Sequence, residues 1–179
     1  MFESVAFKIP NQEFFGFFEL TVSAWFQECV NPTDYHVLME SLLHGEIKEQ
    51  FEAFVATSLS YFDVSGKQPE CFYHALILGM LSGLTDFYDI KSNREAVFGR
   101  YDVALIPKDK KKLGVVLEFK KVSKAKKETL EGVAANAMQQ INDRRYSFEM
   151  QQAGIAKILE VVIAFEGKHV LILHELIGF

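Results

Sequence analysis

The chain has 179 residues, of which 49% are apolar, enough for one domain with a well-filled core and a smaller appended element. No run of about 18 or more apolar residues occurs, so no membrane helix is expected. The start, Met1-Phe2-Glu3-Ser4, lacks the basic-then-apolar order of a secretory leader, and a cytoplasmic location is expected. The net charge of −5 argues at first against a nucleic-acid partner, but its distribution reverses that reading. Residues 108–127 hold nine Lys against Asp109 and Glu118, a local +7 on a body of −12. Such a cationic stripe suits a phosphate backbone, or else a solvated lysine-rich turn. Cys29 and Cys71 form no C-x-x-C pair and read as small buried residues, and the five His show no zinc-ligand spacing.

Residues 1–66 read as a helical lead-in. From Asn11 to about Val30 the chain is Phe-rich, with Phe14, Phe15, Phe17 and Phe18 followed by Trp25 and Phe26. Pro32-Thr33-Asp34 supplies a break and a cap for a helix through Leu43. His44-Gly45 breaks the chain again, and Ile47, Phe51, Phe54, Val55 and Leu59 recur near the helical period. This half carries no constellation of catalytic residue types. Its aromatic surface is expected to pack on the rest of the chain, or to serve a homodimer or a partner domain.

Ser65-Gly66-Lys67-Gln68-Pro69 is the clearest linker, dividing a lead-in (1–66) from a second unit (67–179). From Glu70 the expected order is a helix at about 70–83, then strands at 86–93, 100–107 and 114–121. A helix at about 124–146 follows, with a short one at 147–153. Two β-branched runs, Leu159–Phe165 and His169–His174, then flank Glu166-Gly167-Lys168, a hairpin-like turn. The order argues an α/β (α+β) class, a mixed sheet flanked by helices.

The chemistry concentrates in one hairpin. Gly99-Arg100-Tyr101-Asp102 leads into the first strand, and Val115-Val116-Leu117-Glu118-Phe119-Lys120 forms the second. Alternation puts Glu118 and Lys120 on one face and Leu117 and Phe119 on the other. On the first strand it puts Asp102 with Ala104, and Tyr101 with Val103 and Leu105. A register centred on Lys110 pairs Asp102 with Glu118, and a slip by one residue would set Asp102 against an apolar side chain. Directly opposed strand residues have Cβ atoms roughly 4.5–5.5 Å apart. Two carboxylates that close repel unless a positive charge sits between them, and a divalent metal with a lysine beside it would supply one.

An acid, a variable turn and then Glu-x-Lys resembles the signature of PD-(D/E)XK nucleases. The neighbouring segments strengthen the likeness: Glu70-Cys71-Phe72-Tyr73-His74, Ser92-Asn93-Arg94-Glu95, and Gln139-Gln140-Ile141 with Tyr146. Together with Ile9-Pro10-Asn11-Gln12-Glu13 and Leu43-His44-Gly45-Glu46-Ile47, the order resembles the C-terminal nuclease domain of a bacterial family. Longer members of that family begin with an AAA-ATPase-like domain. No G-x-x-x-x-G-K-[ST] loop occurs in this chain. The resemblance implies a restriction-endonuclease-like fold and hydrolysis of phosphodiester bonds in DNA. It also implies a Mg²⁺ site that Mn²⁺ can fill, and an ATPase domain as a partner for the N-terminal helices.

Asp102 and Glu118 are the expected metal ligands. Mg²⁺ keeps several waters, so two carboxylates and one backbone carbonyl are a sufficient anchor. The resemblance gives the carbonyl role to Phe119. Lys120 would hold the attacking water or steady the transition state, or form a plain salt bridge to Glu118 or Asp102. Glu70 is a further ligand candidate, or an acid at a helix N-terminus after Pro69. Glu95 is another, as a ligand or as an acceptor behind the ligands. The resemblance places Gln140 near the reacting groups, while Tyr146 and His74 read as core. Arg100, Lys121, Lys124, Lys126 and Lys127 are the expected nucleic-acid contacts. A different class of function, a catalytically silent nuclease-like module that binds nucleic acid or an ATPase domain, is the alternative.

Overall fold

The central strands, Val103–Pro107, Gly114–Lys121 and Lys157–Glu166, are near-continuous apolar runs, buried on both faces of the sheet. The structure, a computed structural model, describes residues 32–45, 47–49, 51–52, 77–92, 95–96, 99–144, 146–167 and 169–178. In chain order the strands are β1 (Tyr88–Ser92), β2 (Glu95–Ala96), β3 (Gly99–Arg100), β4 (Val103–Pro107), β5 (Gly114–Lys121), β6 (Lys157–Glu166) and β7 (His169–Gly178). Among the described residues the helices with both ends described are α1 (Pro32–His44), α2 (Leu130–Arg144) and α3 (Phe148–Gln152), and residues 77–81 are also helical. Five strands make one sheet in the order β1-β4-β5-β6-β7, and β2-β3 form a separate two-stranded ribbon. β5 and β6 run parallel, while the other neighbours in the large sheet are antiparallel. A parallel pair needs a crossover, and α2 with α3 provides it.

The two sheet faces bury two different clusters. Val103, Leu105, Val115, Leu117, Phe119, Leu159, Val161 and Ile163 pack with Leu38 and Leu42 of α1 and with the helical stretch 77–81. Ala104, Val116, Ile158, Val162 and Ala164 pack on the opposite face with Ala134, Ala137 and Ile141 of α2. This is the expected restriction-endonuclease-like mixed sheet flanked by helices.

Ile47 and Phe51 belong to the first cluster too, so the described part of the lead-in shares its core with the sheet. The Ile172 N–H on β7 also donates to the Glu52 carboxylate at 2.9 Å. α1 ends where Gly45 turns left-handed (φ 82°), its N–H returning to the Leu42 carbonyl. The Phe-rich run at 11–30, residues 53–61 and the 65–69 linker lie outside the described residues.

Two expectations along the hairpin need correction. The strand expected over 100–107 is broken at Tyr101-Asp102, and Gly99–Arg100 belongs to the ribbon, where Glu95 opposes Arg100. Tyr101 therefore does not share a face with Val103. It joins the α2-side cluster, edge-on to Tyr146 with ring centroids 6.2 Å apart. The physical cause is the Asp102 carboxylate, which takes the Phe119 N–H at 2.8 Å and ends the backbone ladder at that point.

α2 also begins later than the expected residue 124. A 3-10 turn at Lys124–Lys126 is followed by Lys127 with φ 55°, which ends regular coiling. The Glu128 carboxylate folds back to the Ser123 N–H at 2.9 Å. Thr129 then caps the new helix, accepting the Gly132 N–H at 3.1 Å.

Small residues set how closely α2 lies on the sheet. Ala134 and Ala137 are fully buried against it. Ala137→Leu is expected to overpack this seam and lower stability by about 1–3 kcal/mol, readable as a shifted urea midpoint. Gly114 answers the same demand at the start of β5, where an added Cβ would lie 2.8 Å from the Met150 sulfur.

Candidate active site

The β4–β5 hairpin pairs Val103 with Leu117, Ala104 with Val116 and Leu105 with Val115, a register centred on Lys110. Continued by one residue, it sets Asp102 opposite Glu118. Asp102 is half-buried and is tied to β5 by the Phe119 N–H. A strand residue directs its N–H and C=O toward the same neighbour, so the Phe119 carbonyl also faces the Asp102 side. Glu118 is only 3% exposed, and Lys120 reaches along the same face to place Nζ 2.7 Å from Glu118 Oε1. The fold thus gathers Asp102, Glu118, the Phe119 backbone and Lys120 where β4 stops and β5 continues.

The ion pair explains how Glu118 can sit in a nearly buried position. A carboxylate removed from water at this depth needs a cation or several donors, and Lys120 supplies a charge-assisted bond while remaining 31% exposed. The donor set suits a hard divalent cation: two carboxylates, and a carbonyl directed to their side of the strand. Among the described residues no group of three or more His, Cys, Asp or Glu gathers. A metal held here would therefore complete its shell with water and substrate oxygens, as Mg²⁺ does.

Gln140 connects to this group indirectly. Its Nε2 donates to the Tyr146 hydroxyl at 3.3 Å, and the buried Tyr146 ring meets Tyr101, the residue before Asp102. Glu70 and His74 lie outside the described residues. Glu95 and Arg100 oppose one another in the ribbon that enters the hairpin just before Asp102.

The cations divide by position. Lys110, Lys111 and Lys112 are exposed at the hairpin tip, where the Asp109 carboxylate takes the Lys111 N–H at 3.1 Å. From Gly114 to Glu118 the strand rises about 13 Å, so this tip is remote from the acids. Lys121, the last residue of β5, and Lys126 and Lys127 beyond it are exposed, and Lys124 and Lys126 lie in the 3-10 turn. Lys126 stands 4.0 Å from Glu128, an exposed contact of little energetic weight.

One residue near the site is not among the sequence-based expectations. Lys91 on edge strand β1 opposes Ala104, which places it on the same sheet face as Glu118 and Lys120. Its alternation with Asp89 is visible in the sequence, but the β1–β4 register is not, because the ribbon intervenes.

A profile of the PD-(D/E)XK nuclease superfamily matches residues 68–175, which span the hairpin, α2 and most of β7. The chain belongs to the PD-(D/E)XK nuclease superfamily. No curated protein and no solved structure matches the chain significantly. The matched span includes Asp102, residues 108–113 and Glu118-Phe119-Lys120. Among the described residues no helix is long and apolar enough to cross a membrane.

Proposed function

We propose that this superfamily member is a metal-dependent nuclease that hydrolyses phosphodiester bonds in DNA. The observation that carries the reading is the Lys120–Glu118 pair at 2.7 Å on the strand that also donates the Phe119 N–H to Asp102. Asp102, Glu118 and the Phe119 carbonyl are the proposed Mg²⁺ ligands, with Mn²⁺ as a substitute and Glu70 or Glu95 as further donors. Bound there, the ion would supply Lewis-acid charge at the scissile phosphate and toward an attacking water.

The chain's own groups have separate tasks. Lys120 can turn its Nζ between Glu118 and an incoming water or phosphate oxygen, adding fixed positive charge where negative charge develops. Glu118 and Asp102 hold that end of the hairpin negative until a cation arrives. Gln140, braced by Tyr146, is the proposed donor that orients a water or a phosphate oxygen. Arg100, Lys121, Lys124, Lys126 and Lys127 are the proposed phosphate contacts along the backbone of the nucleic acid.

Supercoiled plasmid and single-stranded DNA incubated with Mg²⁺, Mn²⁺ or EDTA test the reading. Cutting that needs the metal supports it, and a folded protein that cuts nothing overturns it. Replacing Lys121, Lys126 and Lys127 with Ala is expected to reduce the slope of log affinity against log salt by about two to three. Binding titrations over a salt series read that slope directly. DNA binding with full salt dependence but no cleavage would favour the silent-module alternative.

A further inference from the structure

Glu160 is a buried acid that the nuclease chemistry does not use. It lies on β6 beside Val116, one strand over from Glu118 and two residues further down, and is 0% exposed. Neither carboxyl oxygen has a hydrogen-bond partner. Burial raises its pKa above the ordinary carboxylate value. The hydroxyl and N–H of nearby Ser147 offset part of that rise without forming a hydrogen bond of ordinary geometry, and the Glu175 charge adds to it. Glu175 is the direct cross-strand partner of Glu160 on β7. Among the described residues no Lys, Arg or His forms an ion pair with either acid.

The acid lines a cleft of about 320 Å³ together with Asn142, Ser147, Phe148, Gln151 and Ile177. None of these residues belongs to the Asp102–Glu118–Lys120 group. The volume far exceeds what a bare ion occupies and falls at the lower end of organic-ligand pockets. A buried carboxyl with a second carboxylate beside it is short of positive charge. Ser147, Asn142 and Gln151 offer neutral oxygens to accept N–H groups, and the Phe148 ring can face a cation. Asn142 already points its amide to this place, its Nδ2 donating to Glu175 Oε2 at 3.3 Å.

We propose that this cleft is a second binding site, for an organic cation bearing a guanidinium or alkylammonium group, with Glu160 as its buried counter-ion and Glu175 at its mouth. The cation would donate N–H bonds to Glu160 and lay its aliphatic part along Ile177 and Phe148. Such a site is independent of the nuclease reading. The same chemistry could arrive on a free amine or on an arginine side chain of another chain.

Isothermal titration of the full chain with agmatine, and separately with Nα-acetyl-arginine amide, tests the proposal. Saturable one-to-one binding is expected, weakened about tenfold or more by Glu160→Gln and less by the exposed Glu175→Gln. Should Glu160→Gln fail to fold, Glu175→Gln alone carries the comparison. Tighter agmatine binding would support a free ligand, and equal or tighter binding of the capped arginine would support a chain-borne group. No saturable binding, binding unchanged in the variants that fold, or saturation by Mn²⁺ but by neither organic cation would overturn it.

Discussion

Asp102→Asn is expected to abolish metal-dependent cleavage, by about 10³-fold or more, while leaving the melting temperature nearly unchanged. On the proposed reading one carboxylate has two separable jobs. Asp102 Oδ2 accepts the Phe119 N–H at 2.8 Å, which holds the end of β4 against β5. An asparagine keeps a carbonyl oxygen in the same place and can keep that bond, so the hairpin survives. It cannot keep the negative charge that a divalent cation needs beside Glu118. Plasmid nicking with Mg²⁺, paired with a thermal melt, reads both properties. Full activity in a folded Asp102→Asn protein would remove Asp102 from the catalytic group.

Lys120→Met is expected to cost activity and stability together. Cleavage should fall by about 10²–10³-fold, because a fixed positive charge at the reacting oxygens is lost. Stability should fall by about 1–3 kcal/mol, because Glu118, 3% exposed, loses the cation 2.7 Å away. The partial exposure of Lys120 puts the loss toward the lower end, since solvent already screens the pair.

The double variant Glu118→Gln/Lys120→Met separates the two roles. Removing both charges leaves no buried ion without its partner, so much of the stability is expected to return. Cleavage is expected to stay lost. Recovery of cleavage along with stability would reduce the pair to a structural salt bridge. Urea denaturation of the wild type, both single variants and the double variant, run beside the nicking assay, distinguishes these outcomes.

Much of the hairpin is legible in the order of its residues. β5 spans Gly114–Lys121, as expected, because a lysine-rich turn and a glycine bound an uninterrupted strand pattern. Its register with β4 follows from side-chain parity together with a turn centred on Lys110. The period is two, so only pairings that keep Val103 and Leu117 on one face and Ala104 and Val116 on the other bury apolar groups consistently. The helical crossover between β5 and β6 and the β6–β7 hairpin are legible for a similar reason. Their apolar patterns are long, and their turns carry glycine.

Other features depend on partners far away in the chain. The break at Tyr101-Asp102 arises because a side-chain oxygen replaces a ladder carbonyl, and nothing local to Tyr101 announces that Tyr146 will meet its ring. The late start of α2 depends on the Glu128 carboxylate folding back to Ser123, a choice that competes with continuing the helix. Glu160 sits inside an apolar run, Leu159-Glu160-Val161-Val162, where alternation would as readily place it in solvent.

The sequence by itself determined the sheet's parity, the acid–acid register of the hairpin and the Glu-x-Lys pair, because strand geometry makes these local consequences of residue order. Only the tertiary structure decided what covers each face. α2 and α3 close over β6 and bury Glu160, while the acids of the hairpin stand where β4 stops short. Burial is set by what packs on a strand, and no strand encodes that alone.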